Sequence, residues 1–272
     1  GGVDNLDGGA GTDTLSTASM HNITETGTTG ASTGVVVNMG TTAIAGTAVF
    51  TNVADYISGG LTSVLSGQAV YTFAADSSAS AATIDTFSNF ENVVGTTGAD
   101  YIVGDAGANS ITGGAGADYV TGGAGADTFV FNSITGTDVI VDFTTADDVM
   151  NFVKATFAVE GADNDFGDAN EAVTIATAAG TDNNGAKNSA NDLIFMTHTT
   201  GHTAASLVAD LDGATIAGDA LIVYFDSGTS LTTLAYDEDL EDATAAVVLG
   251  TFTGIAAADI GTSIVTADFV LI

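Results

Sequence analysis

The chain of 272 residues contains no cysteine, no proline and no tryptophan, and it has only two basic residues against 34 acidic ones. Without cysteine there is neither a disulfide framework nor a thiolate metal site. Without proline, normally about 5% of a chain, no slow prolyl isomerisation limits folding. The shortage of Lys and Arg leaves a formal net charge of −32. A field of that sign repels nucleic acid and anionic membrane surfaces and attracts cations. No apolar run reaches the ~18 residues of a membrane span, and no charged n-region with an apolar h-region opens the chain. With two basic side chains and three His, the usual electrophiles and bases of catalysis are scarce. A hydrophobic content of 45% nevertheless excludes a simple disordered acidic tail.

What is abundant is glycine, and it is placed periodically. Residues 95–130 are four consecutive nine-residue units, GTTGADYIV, GDAGANSIT, GGAGADYVT and GGAGADTFV. Each divides into a six-residue turn, where glycine permits φ > 0, and a three-residue strand whose middle residue (Ile102, Ile111, Val120, Phe129) points inward. Strands so short must stack to be stable. Strict register of the acidic and apolar positions argues against a low-complexity Gly/Ala linker. A Gly-rich turn exposes backbone carbonyls, and the carboxylate at its sixth position adds a charged oxygen beside them. That donor set suits a hard cation, and a loose cage of carbonyls suits calcium better than magnesium.

The pattern resembles the calcium-binding nonapeptide of the RTX (repeats-in-toxin) β-roll family. The resemblance implies an all-β fold, a parallel β-roll or β-solenoid with calcium-binding turns, a β-rich insertion and a mixed, mainly β region after it. It also implies that one coil takes two units, so that turns two units apart share an ion. Asp100 is thereby paired with Asp118, and Asn109 with Asp127. The implied ligand turns contain Gly95, Gly98 and Asp100; Gly104, Gly107 and Asn109; Gly113, Gly114, Gly116 and Asp118; and Gly122, Gly123, Gly125 and Asp127. Thr96 and Asp105 replace the second glycine, and Asn109 replaces the aspartate. Because Asn brings no charge, the second pair is expected to bind less tightly.

Residues 8–16, GGAGTDTLS, form a further unit with Gly8, Gly9, Gly11 and Asp13 in the turn and Leu15 inside. Before it, Asp4 and Leu6 occupy the acidic and apolar positions of a unit already under way. Residues 1–16 therefore read as the end of an upstream roll. Residues 17–94 read as a β-rich insertion, with apolar or alternating runs at 34–39, 47–51 and 69–74 and no helical periodicity. Its last segment, 84–95, resembles an RTX lead-in, with Phe87, Phe90 and Val93 capping the roll, and Glu91 and Asn92 as turn and edge hydrogen-bonding groups. Residues 95–152 are the roll and its cap. The closing segment 135–152 resembles the end of RTX rolls, with Ile140, Phe143, Val149 and Phe152 plugging the core and Asp138, Asp142 and Asp147 placed for a further ion.

Residues 153–272 read as a mainly β region. The acids of 161–171 form an incomplete calcium loop, better read as solvated. Residues 203–211 have helical spacing, 221–227 and 231–237 read as a hairpin around Ser-Gly-Thr, and the acids of 237–242 form a solvated run. The ending TADFVLI resembles the uncleaved signal of type I secretion substrates and is also suited to a final strand.

Two patterns hint at catalysis and fail on context. Gly30 to Gly34 matches G-x-S-x-G, but a nucleophile elbow needs a strand before Ser32 and a helix after it. His198 and His202 have H-x-x-x-H spacing, but Thr199 stands where a zinc protease needs glutamate. No enzymatic activity is expected. The expected function is a calcium-dependent structural protein of a Gram-negative cell surface, exported by a type I ABC transporter, folding on calcium outside the cell and self-assembling with neighbouring copies into a surface layer. Two other roles share the same physics: the RTX secretion and folding domain of a protease, lipase or toxin, and part of a large RTX adhesin.

Overall fold

The computed structural model of the chain describes residues 4–18, 32–45, 63–73, 84–153, 155–157, 172–175, 193–196, 220–237, 246–260 and 263–272. The strand expected at 47–51, the acidic loop 161–171, the helix 203–211, His198, His202 and residues 238–242 lie outside them. Among the described residues regular structure is β-strand, apart from two 3-10 turns at Ala257–Asp259 and Thr266–Asp268. The fold is all-β with parallel strands, consistent with a β-roll. Contacts divide the chain into two units, Gly1–Val130 and Phe131–Ile272, so the division falls inside the 95–152 segment delimited by sequence pattern.

Unit 1 contains β1 (Asn5–Asp7), β2 (Thr14–Ser16), β3 (Ser32–Asn38), β4 (Ile44–Ala45), β5 (Ser63–Val64), β6 (Gln68–Phe73), β7 (Ile84–Ser88), β8 (Asn92–Val94), β9 (Tyr101–Val103), β10 (Ser110–Thr112), β11 (Tyr119–Thr121) and all but the last residue of β12 (Thr128–Phe131), Phe131 belonging to unit 2. Strands β2, β8, β10 and β12 form one parallel row, in which Leu15 faces Val93, Val93 faces Ile111 and Ile111 faces Phe129. On the other row Ile102 faces Val120. All six of these side chains are buried. The 18-residue offset from β9 to β11 and from β10 to β12 makes each coil two units long.

The second row is not purely parallel. Its order is β1-β7-β6-β3-β9-β11, with β6 antiparallel to both β7 and β3. A hairpin from the 17–94 segment is thus inserted between two coils on one face, while β8 and β10 remain direct neighbours on the other. Strand β3 is buried on both sides, which its Val-Val-Val run requires. Val35 and Val37 are fully buried, while Val36 packs with Ile44 and Val64 against Tyr101 and Val103. Buried Asn38 holds this satellite core by donating Nδ2 to the carbonyls of Thr42 (2.9 Å) and Val64 (3.0 Å).

Segment 84–94, expected as a cap, is a coil of the roll. Strand β7 pairs with β1, and β8 lies between β2 and β10. Residues 4–16 therefore stack on 84–94 within the same unit. Leu6 remains 38% exposed, its strand having one neighbour, β7, among the described residues.

Unit 2 contains β13 (Asp138–Ile140), β14 (Val149–Phe152), β15 (Ala172–Ile175), β16 (Leu193–Met196), β17 (Ala220–Asp226), β18 (Leu231–Asp237), β19 (Val247–Phe252) and β20 (Phe269–Leu271). Strands β13, β19, β18, β17, β16 and β15 lie side by side in that order, and β14 pairs in parallel with β20. The expected hairpin is β17–β18. Its turn is closed by the Asp226 carboxylate, which accepts the Gly228 and Thr229 N–H groups at 2.7 and 3.0 Å. Phe152 is the centre of the aromatic core, stacked with Phe131 and Phe269 and edge-on to Phe157. In β14 the inward positions are Met150 and Phe152, so Val149, expected inside, is half-buried: strand alternation allows only one of each adjacent pair inside. The final segment does pair as a strand, with Phe269 buried and Val270 exposed.

Candidate metal centre

The turns of unit 1 are of two kinds. In 8–13, 113–118 and 122–127 the second and fourth positions are glycines at positive φ, as at Gly114 (115°), Gly116 (110°), Gly123 (105°) and Gly125 (119°). In 95–100 and 104–109 the second residue is Thr96 or Asp105, whose side-chain oxygen accepts the fourth residue's N–H: Gly98 to Thr96 Oγ1 at 3.0 Å, Gly107 to Asp105 Oδ1 at 2.7 Å. Each turn of the second kind stacks on one of the first.

The acidic positions form columns. Asp118 Oδ1 accepts the Asp100 N–H at 2.8 Å, and Asp127 Oδ1 accepts the Asn109 N–H at 2.9 Å. These are the two pairs that the resemblance implies. Within a turn, the sixth side chain also receives the second N–H: Thr96 to Asp100 Oδ2 at 2.5 Å and Asp105 to Asn109 Oδ1 at 2.9 Å.

Between stacked turns, backbone oxygens converge on glycines. A Cβ added at Gly114 or Gly116 would meet the carbonyl oxygens of Thr96 or Gly98 well inside 3.0 Å, and one at Gly95 would meet the Gly113 carbonyl and Asp100 Oδ2. The same holds at Gly123 and Gly125 with the carbonyls of Asp105 and Gly107, and at Gly104 with that of Gly122 and with Asn109 Oδ1. At Gly8 it would meet the carbonyl of Asn89. Glycine is required here because no side chain fits where the carbonyls crowd.

The electrostatics are lopsided. Asp100, Asp118 and Asp127 are 0, 1 and 2% exposed, yet residues 1–153 contain no Lys or Arg. Taking a carboxylate out of water costs several kcal/mol unless a counter-charge and hydrogen bonds offset it. Backbone N–H groups supply hydrogen bonds, but no Lys or Arg of residues 1–153 supplies the opposite charge. In turn 8–13, Asp13 Oδ2 is buried without a hydrogen-bond partner. Carbonyl and carboxylate oxygens with no nitrogen or sulfur donors fit calcium. Among the described residues no group of three or more His, Cys, Asp or Glu side chains could hold an ion by itself; the cradles are built mainly from backbone carbonyls.

The other expected ligands are distributed as follows. Asp4 is exposed, with its N–H on Asp85 Oδ1 at 2.8 Å. The Asp13 N–H donates to Glu91 Oε2 at 2.8 Å. Glu91 therefore fills the sixth position of a shortened turn, 89–91, and continues the column of Asp13, Asn109 and Asp127. Its spacing, two places before the inward Val93, is that of the other acids, but the shortened turn takes it out of the nine-residue pattern. Asp138 and Asp142 are half-buried in unit 2 and Asp147 is exposed. The acid with repeat geometry there is Asp148, 4% exposed, whose Oδ2 accepts the Thr144 N–H at 2.7 Å over the same four-residue spacing as Asp100 and Thr96. Ser32 opens strand β3 and is followed by no helix.

Parallel short-strand rows joined by stacked, oxygen-lined glycine turns define a cation-binding β-roll. The family model of the RTX calcium-binding nonapeptide repeat matches residues 1–18 and 94–129 in four copies, which supports an RTX assignment. No curated protein matches the chain. RTX repeats imply a calcium-binding extracellular domain. Among the described residues no helix is long and apolar enough to cross a membrane.

Alanine at Asp118 or Asp127 is expected to raise the calcium midpoint of folding about tenfold or more, since removing one partner from a buried charged arrangement costs several kcal/mol. Alanine at exposed Asp4 or Asp147 should change it little. Calcium titration followed by circular dichroism measures both, and equal effects would show that burial does not rank these sites.

Proposed function

We propose that this chain is a non-catalytic, calcium-dependent structural protein of the bacterial cell surface, which folds outside the cell after type I export and assembles with neighbouring copies into a surface layer. The observation that carries the reading is the burial of Asp100, Asp118 and Asp127 beside converging carbonyls in a stretch with no basic residue. Bound calcium supplies the positive charge that the segment lacks. The ligands of each cradle come from turns 18 residues apart, so they are together only in the stacked coil, and binding free energy becomes folding free energy. In a calcium-poor cytosol the acidic turns repel one another and keep the chain open for export. The absence of disulfides and of proline suits the same route.

The surface-layer role is supported by the Thr, Ala and Gly richness, the near absence of Lys and Arg, and the β-rich insertion within the roll. A net charge of −32 makes self-association dependent on cations shared between acidic faces. Electron microscopy of the purified protein in millimolar calcium is expected to show a two-dimensional lattice that EGTA disperses. Monomers at every calcium concentration would exclude assembly and leave a secretion and folding domain or part of an adhesin.

A further inference from the structure

We propose that Asp105 and Asn109 are a charge-exchanged pair: in turn 104–109 the cradle's negative charge resides on the second residue, and the sixth must be an amide. The proposal rests on the calcium reading of the same turns and replaces the expectation that the Asn109–Asp127 pair is the weaker site.

Turn 95–100 shows one polarity. Thr96 Oγ1 donates to Asp100 Oδ1 at 2.9 Å, so the second residue is the donor and the sixth the acceptor. In turn 104–109 the polarity is reversed. Asn109, 2% exposed, donates Nδ2 to Asp105 Oδ1 at 3.2 Å and to the Glu91 carbonyl at 2.9 Å, while its Oδ1 accepts the Asp105 N–H at 2.9 Å. Both groups facing Nδ2 are acceptors, one on its own turn and one on the preceding coil. A carboxylate here would set oxygen against oxygen at both contacts and leave the Glu91 carbonyl without this donor. The amide is thus the tie between coil 84–94 and turn 104–109. The charge lost at the sixth position is regained four residues earlier, so each pair of stacked turns carries two carboxylates: Asp100 with Asp118, and Asp105 with Asp127.

Asn109→Asp, which restores the repeat's usual residue, is the decisive variant. Calcium titration by circular dichroism is expected to show its folding midpoint raised about tenfold, the effect of one buried group losing its partners. Asp105→Thr combined with Asn109→Asp recreates the polarity of 95–100 and should recover most of that loss. Asp105→Asn keeps the acceptor oxygen and removes only the charge, and should raise the midpoint about as much as Asp127→Asn. A lower midpoint in Asn109→Asp, or none of the expected change in Asp105→Asn, overturns the pairing. If the unaltered chain folds equally well in EGTA, the calcium reading fails separately. The melting temperatures of Asn109→Asp and the double variant then still decide whether a donor is required at 109: a drop in the single variant restored in the double supports it, and no drop refutes it.

Discussion

Adding EGTA to the calcium-loaded protein is expected to abolish the β-sheet circular dichroism of the roll and to expand the chain in solution scattering. The buried carboxylates decide the sign. Asp100, Asp118 and Asp127 are held out of water by stacked turns, and residues 1–153 offer no Lys or Arg in exchange. A ligand that binds only the folded state at a thousandfold excess over its Kd contributes about 4 kcal/mol per site. Two cradles of that strength match much of the roughly 5–15 kcal/mol net stability of an ordinary domain. Returning calcium should restore the signal with a steep titration, because both cradles share coils and fold together. Magnesium should be a poor substitute at equal concentration, since it holds its waters and demands an octahedron. An unchanged spectrum in EGTA would show that backbone hydrogen bonds suffice to bury these acids.

The second large effect is steric. Alanine at Gly114 or Gly123 is expected to destabilise the roll by at least about 3 kcal/mol, combining the cost of a positive φ in a non-glycine residue with overlap on a backbone carbonyl. Those residues have φ of 115° and 105°, and their added Cβ would fall on the carbonyl oxygens of Thr96 and Asp105, which cannot move without opening the stack. Gly9 is the control. It has φ of 90° but nothing within 4 Å of an added Cβ, so Gly9→Ala should cost only the conformational part, about 1 kcal/mol. Thermal melts in saturating calcium compare the three. Similar losses at Gly9 and Gly123 would mean that turn conformation, not close stacking, is what glycine provides.

Much of this molecule is local and therefore readable from the chain. A six-residue turn and a three-residue strand repeat in step, so the inward positions Ile102, Ile111, Val120 and Phe129 and the acidic positions Asp100, Asp118 and Asp127 follow from spacing alone. The β17–β18 hairpin was legible for the same reason, since Asp226 closes its own turn within three residues. What the chain order concealed depends on pairings across long separations. Strand β6 pairs with both β3 and β7, which places a hairpin between coils on one face only. Glu91 was concealed because its turn has lost three residues and its longer side chain spans the gap to Asp13. In the sequence Asn109 reads as an uncharged ligand, and only the stacked turns show the Glu91 carbonyl and Asp105 facing its amide. Sequence by itself determined the nine-residue turn-and-strand unit, because glycine's conformational freedom and the two-residue strand alternation act between neighbours. Tertiary structure decided which acids are buried and which group faces each of them, because burial and hydrogen-bond polarity belong to the stacked turns together and to none of them alone.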